Sequence, residues 1–388
     1  MSRLRSSPAP APPLDNEDLL EEILLRLPPR PSTLHRASLV CKRWHNILSD
    51  PLFLSRFRKH HRKPPLLGFF SGRNYTTPTI FKPVLHSPDR IPASRFSVPQ
   101  SNHPCVQWRF MGCRHGLAIL INHYEQEVVV WDPIINQQHH VPLPLGLRNN
   151  EGEGGNKWYW HAAVLCTGAK EMPVRGDCFS SPFKLVLLGE RYMNASACLY
   201  DSASGVWGDI VSMPITNTIC HIKPNVLVGN ALYCMFTNGD VLAFDFQRQC
   251  FVVIKKPKTP RSLNYYSGYV QVLRTADKGL GLAYFSQHTI QLWERRYDCE
   301  DVAGWVLLPK TIPIAGMLPW ETHGGDRSVH FMGYDENRNV IVLATRIGTF
   351  MIQLDMMQIR LIIGRNEMSY DKFHPYTNFY AEANPVNL

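Results

Sequence analysis

VVVWDP (128–133), SACLYDS (196–202), VLAFDF (241–246), TIQLWER (289–295) and FMIQLDM (350–356) are the strings that decide the fold of this chain. Each is a strand-like apolar run that ends in a bulky residue followed by an acid. The pairs are Trp131-Asp132, Tyr200-Asp201, Phe244-Asp245, Trp293-Glu294 and Leu354-Asp355, at successive spacings of 69, 44, 49 and 61 residues. Around each string the pattern is strand, turn, strand, turn, strand. Self-similarity at about 40–50 residues marks the blade of a β-propeller, and the longer intervals require loop insertions. Candidate insertions are residues 146–160 and 167–177 in the first interval and 297–304 and 316–327 in or near the last. Asn238-Gly239 between two apolar strands supplies the positive φ of a tight hairpin. A further blade is expected within 66–110, beginning at LLGFF, for about six blades in all. The recurring acid is expected to accept backbone N–H groups at a turn start, a task needed in every blade, whereas a catalytic carboxylate is needed once.

Ahead of the propeller the period changes from two to that of a helix. Residues 1–13 are rich in proline, serine and alanine and read as a disordered tail, and 381–388 as a second tail. Leu19, Leu20, Ile23, Leu24 and Leu27 form a broad apolar stripe, with Asp15 and Asn16 as caps and Pro28-Pro29 as the stop. A second segment starts after Pro31, with Ser32 as its cap, and carries Leu34, Ala37, Leu39, Val40, Cys41, Trp44, Ile47 and Leu48. Asp50-Pro51 opens a third helix. The expected organisation is a helical unit over 14–60, a linker over 61–65 and an antiparallel kelch-like propeller over 66–380. The fold class is therefore multidomain, α followed by all-β.

The chain has 388 residues and a formal net charge of +9. Residues 1–63 hold 12 Lys and Arg against 6 Asp and Glu, so the rest of the chain is close to neutral. The excess gathers in RFRKHHRK (56–63), which suits a solvated helix C-terminus; binding to nucleic acid is not expected. No apolar run approaches the roughly 18–20 residues that cross a bilayer, and MSRLRSSPAPAPP lacks the apolar core of a secretory signal. A cytoplasmic or nuclear location, with reduced thiols, is the expectation. The ten cysteines show no C-x-x-C spacing.

There is no Walker loop, dinucleotide fingerprint or nucleophile elbow. His139-His140 lies in a strand, where neighbouring side chains point to opposite faces and do not chelate together. No metal, cofactor or catalytic residue is expected. Trp158, Tyr159 and Trp160 follow a glycine-rich acidic loop and are the candidate target contact; the alternative is that they pack on both faces of a blade.

The helical unit is too small to bury all its apolar side chains in a core of its own, and its stripes cover more than one face. Its sequence, LLEEILLRLPPRPSTLHRASLVCKRWHNILSDPLFLSRF, resembles an F-box. The resemblance rests on DLLEEILLRLP (18–28), VCKRW (40–44) and SDPLF (49–53); the usual Leu-Pro opening is replaced by Leu14-Asp15-Asn16-Glu17. The remainder resembles the propeller-type associated region of plant F-box families, through CRHGLAILI (113–121), VVVWDP, GVWGDI (205–210), TNGDVLAFD (237–245) and HPYTNFY (374–380). The resemblance implies a non-catalytic substrate-recruiting subunit of a Skp–cullin–F-box ubiquitin ligase. The F-box would dock on the Skp-family adaptor, and through it on a cullin–RING scaffold, while the propeller binds a target protein. The implied adaptor contacts are Leu19, Leu20, Ile23, Leu24, Leu27, Pro28, Leu39, Val40, Cys41 and Trp44, each of which could instead pack within the helices. A scaffold that does not cause degradation, and a propeller-based enzyme, remain as alternatives.

Overall fold

Asn16 begins the ordered helices: its side chain accepts from Leu19 N at 3.2 Å and caps α1 (Glu17–Leu25), whose first turn carries Glu17 and Asp18 against the helix dipole. The structure is a computed structural model and describes residues 16–72, 78–100, 108–149, 158–166, 182–257, 269–286, 289–297, 303–314, 329–336, 338–364 and 372–380. Both expected tails and the insertions at 167–177 and 316–327 lie outside the described residues, as do the middles of the other two.

The expected second helical segment is two helices, α2 (Pro31–Ser38) and α3 (Lys42–Ser49). Cys41 between them is extended, with φ −162° and ψ 168°, which breaks the helical path. Ser32 does not cap α2. Arg30 is the residue at the cap position, and Pro31 takes the first helical place, where its missing N–H costs nothing. Asp50 does cap α4 (Pro51–His61), accepting from Leu52 N and Phe53 N. The basic run falls on the last turn of α4, where cations meet the negative end of the helix. Leu20, Leu24, Leu25, Leu34, Ala37, Ile47, Leu48, Phe53 and Phe57 make the core of the four helices.

The remainder is six antiparallel sheets arranged as a propeller. The first blade holds β1 (Leu66–Gly72), β2 (Ile80–Pro83) and β24 (Lys372–Thr377). The second holds β3 (Arg109–Arg114), β4 (Leu117–Asn122), β5 (Glu127–Asp132) and β6 (Gln137–Pro142). The third runs β7 (Tyr159–Cys166), β8 (Phe183–Arg191) and β9 (Asn194–Asp201), with β10 (Val206–Trp207) and β11 (Val211–Pro214) both on β9. The fourth comprises β12 (Val226–Val228), β13 (Ala231–Met235), β14 (Val241–Asp245) and β15 (Cys250–Ile254). The fifth comprises β16 (Val270–Arg274), β17 (Leu280–Ser286), β18 (Thr289–Tyr297) and β19 (Ala303–Pro313). The sixth comprises β20 (His330–Asp335), β21 (Val340–Thr345), β22 (Gly348–Gln353) and β23 (Gln358–Gly364).

The five repeat strings fall on β5, β9, β14, β18 and β22, the third strand of each of these blades. Asp132, Asp201 and Asp245 accept backbone N–H groups of the turns that follow, as expected of a turn acid. Glu294 and Asp355 do otherwise, pairing with Arg296 and Asn339. Apolar clusters at the junctions of neighbouring blades link the ring all the way round.

The first blade departs from the expectation for 66–110. Only β1 and β2 come from that stretch, and Ala93–Phe96 is a short 3-10 helix. The third strand, β24, comes from the far end of the chain, pairs with β1 and lies against β3 and β20. Its approach to β20 is close: a Cβ on Gly333 would stand 2.5 Å from the Phe373 carbonyl oxygen.

The expected linker is not slack. Pro64 and Pro65 are buried, Arg338 donates to the Pro64 carbonyl through Nε (3.1 Å) and Nη2 (2.8 Å), and Asn378 N donates to Pro65 O. Ser32 donates through N (3.1 Å) and Oγ (2.6 Å) to Asp89 of the propeller, and the Phe57 and Phe379 rings meet edge to face at 6.3 Å. The helices thus rest on the propeller. Cys166 is disulfide-bonded, contrary to the expectation of reduced thiols throughout, while Cys41, Cys113, Cys198, Cys220, Cys234 and Cys250 are free.

Candidate functional site

Burial sorts the ten expected adaptor contacts into three groups. Leu19 is 49% and Ile23 42% exposed, one helical turn apart on α1. Leu39 is 71% and Val40 62% exposed, and Cys41 beside them and Pro28 are exposed as well. Leu20 and Leu24 have no exposure at all, so both are corrected to internal core: their side chains point at α4, where Phe53 and Phe57 enter the same cluster. Leu27 and Trp44 are partly buried and pack on that cluster from its margin.

The break between α2 and α3 explains the exposure of Leu39, Val40 and Cys41. A continuous helix would turn some of Leu39, Val40 and Cys41 inward, whereas the extended Cys41 leaves all three at a protruding corner. Exposed apolar side chains in succession mark a contact surface more often than a solvent face. Leu52, on the first turn of α4, is also exposed and was missed by the sequence reading. The signal was its place beside Phe53 and Leu54, since three neighbouring apolar residues cannot share one side of a helix.

Two of the three propeller candidates are not exposed. Trp158 and Trp160 are buried in the cluster between the second and third blades, with their rings stacked at 5.0 Å. Tyr159 points the other way and stacks on His221 at 5.2 Å. Alternation along β7 therefore packs them on two faces, and they form no common aromatic contact.

Among the described residues, no group of three or more His, Cys, Asp or Glu is placed to hold a metal ion. His139 and His140 have separate partners, Tyr200 Oη and Glu127. No helix among those residues is long and apolar enough to cross a membrane.

Residues 16–56, which include the whole of α1, α2 and α3 and the exposed corner, match the F-box domain. Residues 109–380 match the family described as F-box protein AT5G49610-like, beta-propeller. The chain belongs to this F-box family. It is similar to F-box protein At5g07610 of Arabidopsis thaliana, 24% identical over 272 residues, a match that covers 63% of this chain and 57% of that protein's length. It is also similar to a structural genomics protein of unknown function from Bacteroides thetaiotaomicron. There the identity is 12%, the coverage 64% of this chain and 55% of the other, and the TM-score 0.33. In this F-box protein the exposed corner and the α1 pair lie within the F-box match.

Proposed function

We propose that this chain is the substrate-recruiting subunit of a Skp–cullin–F-box ubiquitin ligase, with its helices on the adaptor and its propeller on a target protein. The observation that supports this most is the apolar corner Leu39-Val40-Cys41, exposed within an F-box. Leu19, Ile23 and Pro28 extend the adaptor contact, Leu27 and Trp44 border it, and Leu20 and Leu24 hold the helices that present it. The helical unit over 14–60 and the propeller over 66–380 act as two parts joined through 61–65.

The chain performs no bond chemistry in this reading. It raises the effective concentration of a target near a ubiquitin-loaded enzyme, an effect of proximity. Proximity works best when the joint is stiff, and the Arg338–Pro64, Ser32–Asp89 and Phe57–Phe379 contacts supply that stiffness. The complex works in the cytoplasm or nucleus, where cullin–RING ligases act.

Titration of the purified full chain with a plant Skp-family adaptor tests the proposal. Wild type binds, and Leu39→Asp with Val40→Asp weakens binding by about tenfold or more, because a carboxylate must be desolvated in the contact. Thermal stability stays near that of wild type. Absence of binding by wild type, or equal binding by the double variant, would contradict it.

A further inference from the structure

The outermost strand of the fifth blade has no part in adaptor binding. β19 runs for 11 residues, longer than any other strand described, and pairs with β18 alone. Alternate backbone N–H and C=O groups on its outer edge therefore have no neighbouring strand among the described residues. Sheets usually blunt such an edge with polar or charged side chains. The outer strands of the second and sixth blades do so: β6 carries Gln137, Gln138, His139 and His140, and β23 carries Gln358 and Arg360. β19 instead carries Trp305, Val306, Leu307 and Leu308 in succession ahead of Pro309. Val306 is 42% and Leu307 45% exposed.

Trp305 organises the surface beside this edge. Its Nε1–H donates to the Lys255 carbonyl at 2.6 Å, which ties β19 to the residue that follows β15 in the fourth blade. The Arg295 guanidinium, at the paired position of β18, lies 5.8 Å from the Trp305 ring centre. Leu307 shares the Trp305 face of the strand, and Tyr297, two residues beyond Arg295, is 73% exposed. Cations outnumber acids here. Arg295, Arg296, Lys255 and Lys256 stand against Glu294 and Asp240, and both acids are engaged, Glu294 with Arg296 at 2.6 Å and Asp240 with Lys255 at 3.1 Å. Aromatic and arginine side chains beside exposed aliphatic ones are the composition of a contact hot spot.

We propose that the outer edge of β19 is the target site of the propeller, and that it takes an extended, acidic segment of the target protein as a fifth strand of the blade. This rests on the substrate-receptor reading above. Backbone pairing supplies affinity, and side chains alternating along the added strand meet Trp305 and Leu307 on one face and Val306 on the other. The positive excess selects Asp and Glu in that segment over Lys and Arg. The same charge disfavours a second copy of this chain on the edge, since β19 against β19 brings two sets of these cations together.

Fluorescence anisotropy of labelled, acetylated peptides would be followed against the full chain without adaptor. One short peptide alternates valine with glutamate and one alternates valine with lysine. A third is the glutamate peptide N-methylated throughout, which cannot donate backbone hydrogen bonds. The expected result is saturable binding of the glutamate peptide, weakened by salt, with the other two at least about tenfold weaker. Leu307→Glu puts a carboxylate into the contact and should weaken the glutamate peptide by about tenfold or more, with the thermal midpoint unchanged. Arg295→Gln should weaken it in the same direction and flatten the salt dependence, and serves if Leu307→Glu does not fold. Equal binding of the glutamate and lysine peptides, full binding of the N-methylated peptide, or both variants binding as wild type would overturn the proposal. So would the absence of saturable binding, or a wild-type dimer that Leu307→Glu dissociates. Adaptor binding is read separately: a chain that binds adaptor but no peptide keeps the receptor reading and loses this site, and one that binds the glutamate peptide but no adaptor keeps the strand site and loses the receptor reading.

Discussion

Leu24 and Val40 separate folding from binding within one small helical unit. Leu24 is fully buried among the Phe53 and Phe57 side chains, so Leu24→Ala should cost about 2–5 kcal/mol through lost transfer energy and a cavity. Denaturant unfolding followed by helical circular dichroism would measure it. Val40→Asp touches no core and should shift stability by no more than about 0.5 kcal/mol while weakening the adaptor complex. The stripe Leu19, Leu20, Ile23, Leu24 and Leu27 was legible in the sequence as apolar, but not its division into inner and outer residues. That division is set by where α4 lands, which is a tertiary fact. The histidines make a second prediction at this scale. Burial depresses His161 and His374 below the ordinary value of 6.5, so the unfolded chain binds more protons than the folded one as pH falls below 6.5. Stability present above pH 6.5 should decline progressively below it, which thermal unfolding midpoints from pH 7.5 to 5 would show. A midpoint that rises on acidification over that range would contradict the burial of these rings.

At the scale of elements, the junctions matter more than the strands. Asp89 accepts two hydrogen bonds from Ser32 at the start of α2 and lies 3.8 Å from the Arg30 guanidinium. Asp89→Ala should therefore loosen the seat of the helices by about 1–3 kcal/mol, the cost of partly buried donors left unpaired. Faster hydrogen exchange across α2 with unchanged exchange in β3 to β6 is the expected signature. Gly333 is the corresponding point between the sixth blade and β24. Gly333→Ala puts a methyl against the Phe373 carbonyl and should destabilise the ring by about 1–3 kcal/mol, as overpacking does. Neither junction was legible. Ser32 reads as a helix cap because serine favours that role, and only the folded chain brings Asp89 close enough to take its hydroxyl instead. Helix periodicity ran across Leu39, Val40 and Cys41 because no proline or glycine marks the break.

At the scale of the whole molecule, the propeller was legible because it repeats. Five strings with a shared ending sit at the same strand of five blades, and each blade needs the same alternation to pack on both neighbours. The first blade was legible only in part: β1 begins at the expected LLGFF, but its partner β24 lies at the opposite end of the propeller sequence, and β1–β24 pairing leaves no local pattern. Closing the ring in this way also fixes the helical unit, since Phe379 and Asn378 follow directly on β24 and touch Phe57 and Pro65. The F-box is thus held where β1 and β24 meet, and any adaptor bound to it has a defined orientation to the propeller. The most direct measurement is hydrogen exchange of the full chain with and without the Skp-family adaptor. The account predicts slowed exchange over α1 and over residues 36–45 around the exposed corner, with the blades unchanged. Protection confined to the propeller, or no protection at the corner in a complex that forms, would contradict it.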